Sequence, residues 1–250
     1  MGQSMRSIHD NLQAVHVRIA RAAAAAGRDP LGVTLLAVSK THPAALIEQA
    51  LAGGQRAFGE NYVQEAVEKM DALASTSIEW HLIGPLQSNK TRVVAARFHW
   101  VHSVESEKVA RRLSEQRLAG LPALNVLIQV NVSGEAGKSG VPPAQVAGLA
   151  AVIASLPKLK LRGLMAIPEP TADVQLQRSR FAALKMEFET LKRSGFDLDT
   201  LSMGMSDDME SAIAEGATLV RVGTAIFGER RSRGTGAPPA PPSRTVGSTA

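Results

Sequence analysis

The feature that most restricts this chain is an alternation of short apolar runs and helical-period stretches, carried eight times in one direction. The runs centre near residues 35, 57, 81, 101, 128, 162, 201 and 220, with helical spacing in the segments between them. Successive parallel strands need a crossover segment, so this order implies a parallel sheet clothed by helices. Eight such units in 250 residues predict a single closed (β/α)8 barrel. A doubly wound open sheet is the alternative, because hydrophobic periodicity does not report closure.

The segment from about Ser4 to Ala26 repeats Ile8, Leu12, Val15 and Ile19 at helical spacing before Gly27 and Pro30, which predicts an extra N-terminal helix. Pro43 opens a second helix and Gly53-Gly54 stop it; helices are also expected around residues 89 to 96, after Pro142-Pro143, and up to Gly195. ALNVLIQVNV, rich in β-branched residues, is the strongest strand, and the loop SGEAGKSG closes it. Past residue 230 the composition turns to Pro, Gly, Ser and Thr with few large apolar residues. The expected division is a barrel over 1–230 and a disordered tail over 231–250.

The absence of cysteine excludes disulfides, thiolate nucleophiles and cysteine-ligated metals. No stretch reads as a signal peptide or a membrane span, and a cytoplasmic protein without a membrane partner is expected. The net charge of +5 admits an acidic partner, yet the basic residues are dispersed and not interleaved with aromatics. A phosphorylated small molecule accounts for that balance better than nucleic acid does. HExxH, GxSxG, GxGxxG and Walker-type loops are missing, and His99 and His102 are spaced to opposite faces of one strand, which argues against a shared metal.

Barrel active sites gather at the carboxyl ends of the strands, with phosphate held by the loops after strands seven and eight. In VTLLAVSKTH an apolar run ends in Lys40. Burial there would lower the ammonium pKa and leave an amine able to form a Schiff base with an aldehyde. The alternative is a lysine extending into water. Strand seven runs into SMGMSDD and strand eight into RVGTAIFG, so Ser206, Gly223 and Thr224 are candidate phosphate contacts and Arg221 a fixed donor fork. Ser206 is equally able to cap a helix, and Gly223 to serve a turn. Asn61 is placed to bond a ligand or to cap a helix, and His81 to pack on a cofactor or to be structural. Glu60 and Glu65 have no evident partner and are assigned no role.

AVSKTHP, FGENYVQE, WHLIGPLQSNK, GLMAIP and LSMGMSDDMESAIAEGATLVRVGTAIFG, in this order, resemble the pyridoxal phosphate homeostasis protein family, also called the proline synthetase co-transcribed family, over about residues 5 to 230. The resemblance implies a barrel similar to the N-terminal domain of alanine racemase that binds pyridoxal 5'-phosphate without an established catalytic activity. It implies a Schiff base on Lys40, phosphate contacts from Ser206, Gly223 and Thr224, Arg221 facing the pyridine nitrogen, and Asn61 lining the pocket. A fixed cation at that nitrogen disfavours its protonation and weakens the ring as an electron sink. The expected role is therefore to store or hand over the cofactor, with pyridoxal-phosphate-dependent apoenzymes as possible recipients. The alternative is a weak amino-acid racemase. That chemistry needs a second base, which alanine racemase draws from a separate β-domain not found in this sequence; Tyr62, its only tyrosine, is read as structural.

Overall fold

The computed structural model describes residues 7–134 and 139–229. The tail expected over 231–250 and part of the SGEAGKSG loop lie outside the described residues. Eight strands close into a barrel in chain order: β1 (Thr34–Val38), β2 (Ala57–Glu60), β3 (Glu79–Leu82), β4 (Trp100–Val104), β5 (Leu124–Gln129), β6 (Leu159–Met165), β7 (Thr200–Ser202) and β8 (Leu219–Val222). Every neighbouring pair is parallel, and β1 closes on β8 with Leu36 opposite Arg221 and Ala37 opposite Val222. Closure settles the choice against an open sheet.

The helices are α1 (Ile8–Ala25), α2 (Ala44–Ala52), α3 (Val63–Ala72), α4 (Thr91–Arg97), α5 (Glu107–Gln116), α6 (Pro143–Ala154), α7 (Val174–Arg193), α8 (Met209–Ala214) and α9 (Thr224–Phe227). The helix expected at 89 to 96 starts at Thr91 because a 3-10 turn occupies Ser88–Lys90. Ser7 and Asp10 form a capping box that starts α1, and its buried stripe of Ile8, Leu12, Val15, Ile19 and Ala23 joins the main core. Helix α1 also braces the far end of the chain. Asn11 donates to the Ile226 carbonyl at 2.8 Å, and Arg18 to the Ser206 carbonyl at 3.0 Å.

Side-chain alternation divides the strands between two environments. Leu35 and Ala37 pack outward with the helices, whereas Leu36, Val38, Ile83 and Leu219 form one inner cluster and Trp100, Leu127 and Met165 another. The buried set also includes polar His81, His102, Ser202 and Arg221. Between Val126 and Leu127 the pairing with β6 skips Arg162, a bulge made possible by Gly163 at φ 152°. A Cβ at Gly163 would collide with the Thr200 carbonyl.

Candidate functional site at the carboxyl-terminal mouth

The strand ends bring the two extremes of the chain together. His42, just past β1, packs its ring 5.2 Å from that of Phe227 in α9. A Cβ at Gly223 would sit 3.1 Å from the Val38 carbonyl oxygen, so the turn after β8 lies directly against the end of β1. Lys40 therefore shares one rim with Gly223 and the exposed Thr224. Gly223 has φ −116°, a conformation open to any residue, and its missing side chain serves close approach. Lys40 stands two residues beyond the strand and is half-buried, not the fully buried lysine that the apolar run implies. The turn is what exposes it: the apolar burial stops at Val38 and Ser39, and the chain then reverses.

Ser206 lies in the turn before α8 and neither caps that helix nor belongs to its first turn. The cap position is Asp208, whose carboxylate instead accepts from the Met205 N–H at 2.6 Å. That bond folds the turn that contains Ser206, which is half-buried and accepts from Arg18 at its carbonyl oxygen. Asn61 follows β2, and Tyr62, not Asn61, stands at the cap position of α3. The side-chain oxygen of Asn61 is buried without a hydrogen-bond partner among the described residues. Gly84 after β3 is pressed against the Asn61 backbone, where a Cβ would collide with the carbonyl oxygen.

Arg221 is 3% exposed. Its Nη1 donates to the carbonyl and the hydroxyl oxygen of Ser202, each at 2.7 Å, and its Nη2 donates to the Ala166 carbonyl at 2.9 Å. Burial lowers its pKa to about 10, with Asp208 acting in the opposite sense, so the guanidinium keeps its charge at neutral pH.

The deeply buried lysine of this mouth is Lys69, which sequence reasoning passed over. Its ammonium lies 2.7 Å from the Ser39 carbonyl, 2.7 Å from Glu60 and 2.6 Å from Glu65. The Ser39 hydroxyl donates to Glu60 at 2.6 Å, and the Thr41 N–H to Glu65 at 2.5 Å. Glu60 and Glu65 thus have a partner after all, and the three side chains grip the residues on both sides of Lys40. Burial holds the Glu60 carboxyl above its ordinary value even though the Lys69 ammonium opposes the shift. Glu65 and Lys69 stand four apart in α3, a legible signal; the reach back to Ser39 is not.

His81 sits next to the last residue of β3, 1% exposed and stacked on Trp100 at 5.2 Å. It bonds His102, which supports its structural reading, while His99 accepts from the Trp80 N–H on its own. Among the described residues no group of three or more His, Asp or Glu is arranged to hold a metal.

Residues 11–231 match the family model described as alanine racemase, N-terminal domain. A pyridoxal phosphate homeostasis protein of Pseudomonas aeruginosa is 59% identical over 226 residues, spanning 90% of this chain and 97% of that one. The chain belongs to the pyridoxal phosphate homeostasis protein family. Its relative of that name in Escherichia coli is 53% identical over 229 residues, covering 90% and 98% of the two chains. PipY of Synechococcus elongatus, solved without PLP, superposes with a TM-score of 0.80 at 37% identity over 88% of this chain and 100% of that one. PipY with PLP bound superposes with a TM-score of 0.78 over the same shares of the two chains. An alanine racemase from Corynebacterium glutamicum, 17% identical, shares the fold with a TM-score of 0.64 over 86% of this chain and 60% of that one. Membership in the pyridoxal phosphate homeostasis protein family thus agrees with the barrel expected from the strand count. No helix among the described residues is long and apolar enough to cross a membrane.

Proposed function

We propose that this chain binds pyridoxal 5'-phosphate at the carboxyl-terminal mouth and serves its intracellular homeostasis, holding the cofactor covalently through Lys40. The observation that carries this reading is the contact between the end of β1 and the turn after β8, which supports a site shared by Lys40 and the candidate phosphate contacts Gly223 and Thr224. The donor set fits the cofactor's groups. A primary amine, a hydroxyl and N–H groups at Ser206, Gly223 and Thr224, and a fixed guanidinium at Arg221 correspond to an aldehyde, a phosphate and a ring nitrogen. The unpartnered Asn61 oxygen supplies an acceptor on the same rim.

When bound, the cofactor supplies an aldehyde carbon open to attack by an amine. The chain's own residues do the rest. Lys69, Glu60 and Glu65 hold the turn that presents Lys40; Ser206 and Thr224 would hold a phosphate; and Arg221, if it faces the ring nitrogen, would disfavour a proton there. Such an arrangement favours capture and release over carbanion chemistry, and the reading is of a non-catalytic, cytoplasmic carrier that delivers cofactor to apoenzymes. The test is absorbance and intact mass of the loaded protein before and after borohydride. A visible band that reduction converts to a fixed mass on the Lys40 peptide supports the proposal, and an equal adduct in Lys40→Ala overturns it.

A further inference from the structure

A continuous hydrogen-bonded chain threads the barrel interior from one mouth to the other. Glu79, first residue of β3 and half-exposed, has Oε1 2.8 Å from His81 Nε2. His81 Nδ1 lies 2.9 Å from His102 Nε2, His102 Nδ1 lies 3.0 Å from the Ser202 hydroxyl, and that oxygen accepts from Arg221 at 2.7 Å. Both histidines and Ser202 are buried.

The two ends determine the direction of every bond. A carboxylate only accepts and a guanidinium only donates. His81 must carry a proton on Nε2 to meet Glu79, and the hydrogen bond it donates keeps the Glu79 carboxyl below its ordinary value. Burial depresses the pKa of both imidazoles, that of His102 further lowered by His81 and Arg221, so each is neutral and holds one proton. His81 Nδ1 is then bare and accepts from His102 Nε2–H, which leaves His102 Nδ1 bare to accept from the Ser202 hydroxyl. Ser202 can turn its lone pairs only toward Arg221. The surrounding charges are His99 and Arg117 near the Glu79 end, the Arg162–Asp199 pair with Arg162 over Trp100 at 4.6 Å, and Asp208 near Arg221.

We propose that His102, backed by His81, is a positioning residue for Arg221: by accepting the hydrogen bond of the Ser202 hydroxyl it fixes the lone pairs that hold the guanidinium toward the ligand's ring. The ligand side of this inference rests on the function proposed above; the proton order does not. The first experiment uses cofactor-free protein and nitrogen-15 NMR of the imidazoles at neutral pH. Both His81 and His102 should show protonated Nε2 and bare Nδ1, and a proton on either Nδ1 overturns the chain. The second compares His102→Asn, whose amide oxygen can still accept from Ser202, with His102→Leu, which cannot. With pyridoxal phosphate loaded, the Leu variant should keep borohydride-fixed mass on Lys40 yet bind about tenfold more weakly with a displaced visible band, and the Asn variant should recover most of both. Equal behaviour of the two variants, whether both native-like or both impaired, overturns positioning. Failure of native protein to form any adduct would instead reject the cofactor reading, while the imidazole spectra still decide the proton order.

Discussion

The Lys69 ammonium lies 2.7 Å from the carbonyl oxygen of Ser39, the residue immediately before Lys40. On the other side of Lys40, Thr41 adopts φ 66°, the positive-φ non-glycine residue of the described chain, with its N–H tied to Glu65. A left-handed threonine is costly by roughly 1–3 kcal/mol and persists only where its surroundings hold it. The clamp of Lys69, Glu60 and Glu65 is what holds it here, and it couples a buried ion-pair network to the geometry of the amine.

Lys69→Met should destabilise the fold by about 3–5 kcal/mol, because it strands the buried Glu60 without its cation. Urea unfolding measures that loss. The remaining folded protein should capture pyridoxal phosphate on Lys40 more slowly, and Glu60→Gln combined with Lys69→Met should recover part of the stability. A neutral effect of the single substitution would contradict the clamp.

Gly84→Ala should cost more than Gly223→Ala. At Gly84 an added methyl meets the Asn61 backbone, which cannot yield, whereas at Gly223 it meets the Val38 carbonyl at 3.1 Å and a small shift relieves it. About 3 kcal/mol or more is expected for the first and about 1–2 kcal/mol for the second. The Gly223 variant should also retain pyridoxal phosphate less well, read as a raised dissociation constant by fluorescence titration.

Arg221→Gln should leave covalent capture at Lys40 in place while changing the bound cofactor's absorbance, since the amide still donates to a strand carbonyl but carries no charge. Loss of a buried charged donor to Ser202 and Ala166 should lower stability by about 1–3 kcal/mol. An unchanged spectrum would place Arg221 away from the ring.

Stability should decline as pH falls below the ordinary histidine value of 6.5. His81 and His102 have folded values depressed by burial, so the unfolded chain takes up protons first and is favoured. Their contribution is complete above 6.5 and is lost on the way down to the folded values, by at most about 1.4 kcal/mol per pH unit for each histidine. Glu60 works in the opposite sense: its raised value contributes stability that is present below 4.5 and lost as pH rises through the folded value. Urea midpoints at about pH 7.5 and about pH 5.5 should therefore differ, and His102→Asn should narrow the difference.

Incubation with alanine or serine in deuterium oxide should show no exchange at Cα that scales with protein concentration. If Arg221 faces the ring nitrogen as proposed, its charge weakens the electron sink that such exchange draws on. Exchange proportional to protein would establish turnover and displace the carrier reading.

Much of this architecture was legible in the amino-acid order. Local periodicity and turn residues mark all eight strands, because the pattern of burial is written along each segment. Lys40, Ser206, Gly223 and Thr224 could be singled out by their places after strands one, seven and eight, since a barrel's topology alone assigns those ends to one rim. Tertiary structure decided what those residues touch. The β1 to β8 closure, the reach of Lys69 across thirty positions to Ser39, and the meeting of His102 with Ser202 a hundred residues later all depend on strand stagger and on how far each turn projects. Stagger is set by packing around the whole ring, and no single segment contains it. The same cause explains Lys40: the apolar run marks the strand, but the turn after Val38, held by contacts from two other elements, determines how deeply the amine sits.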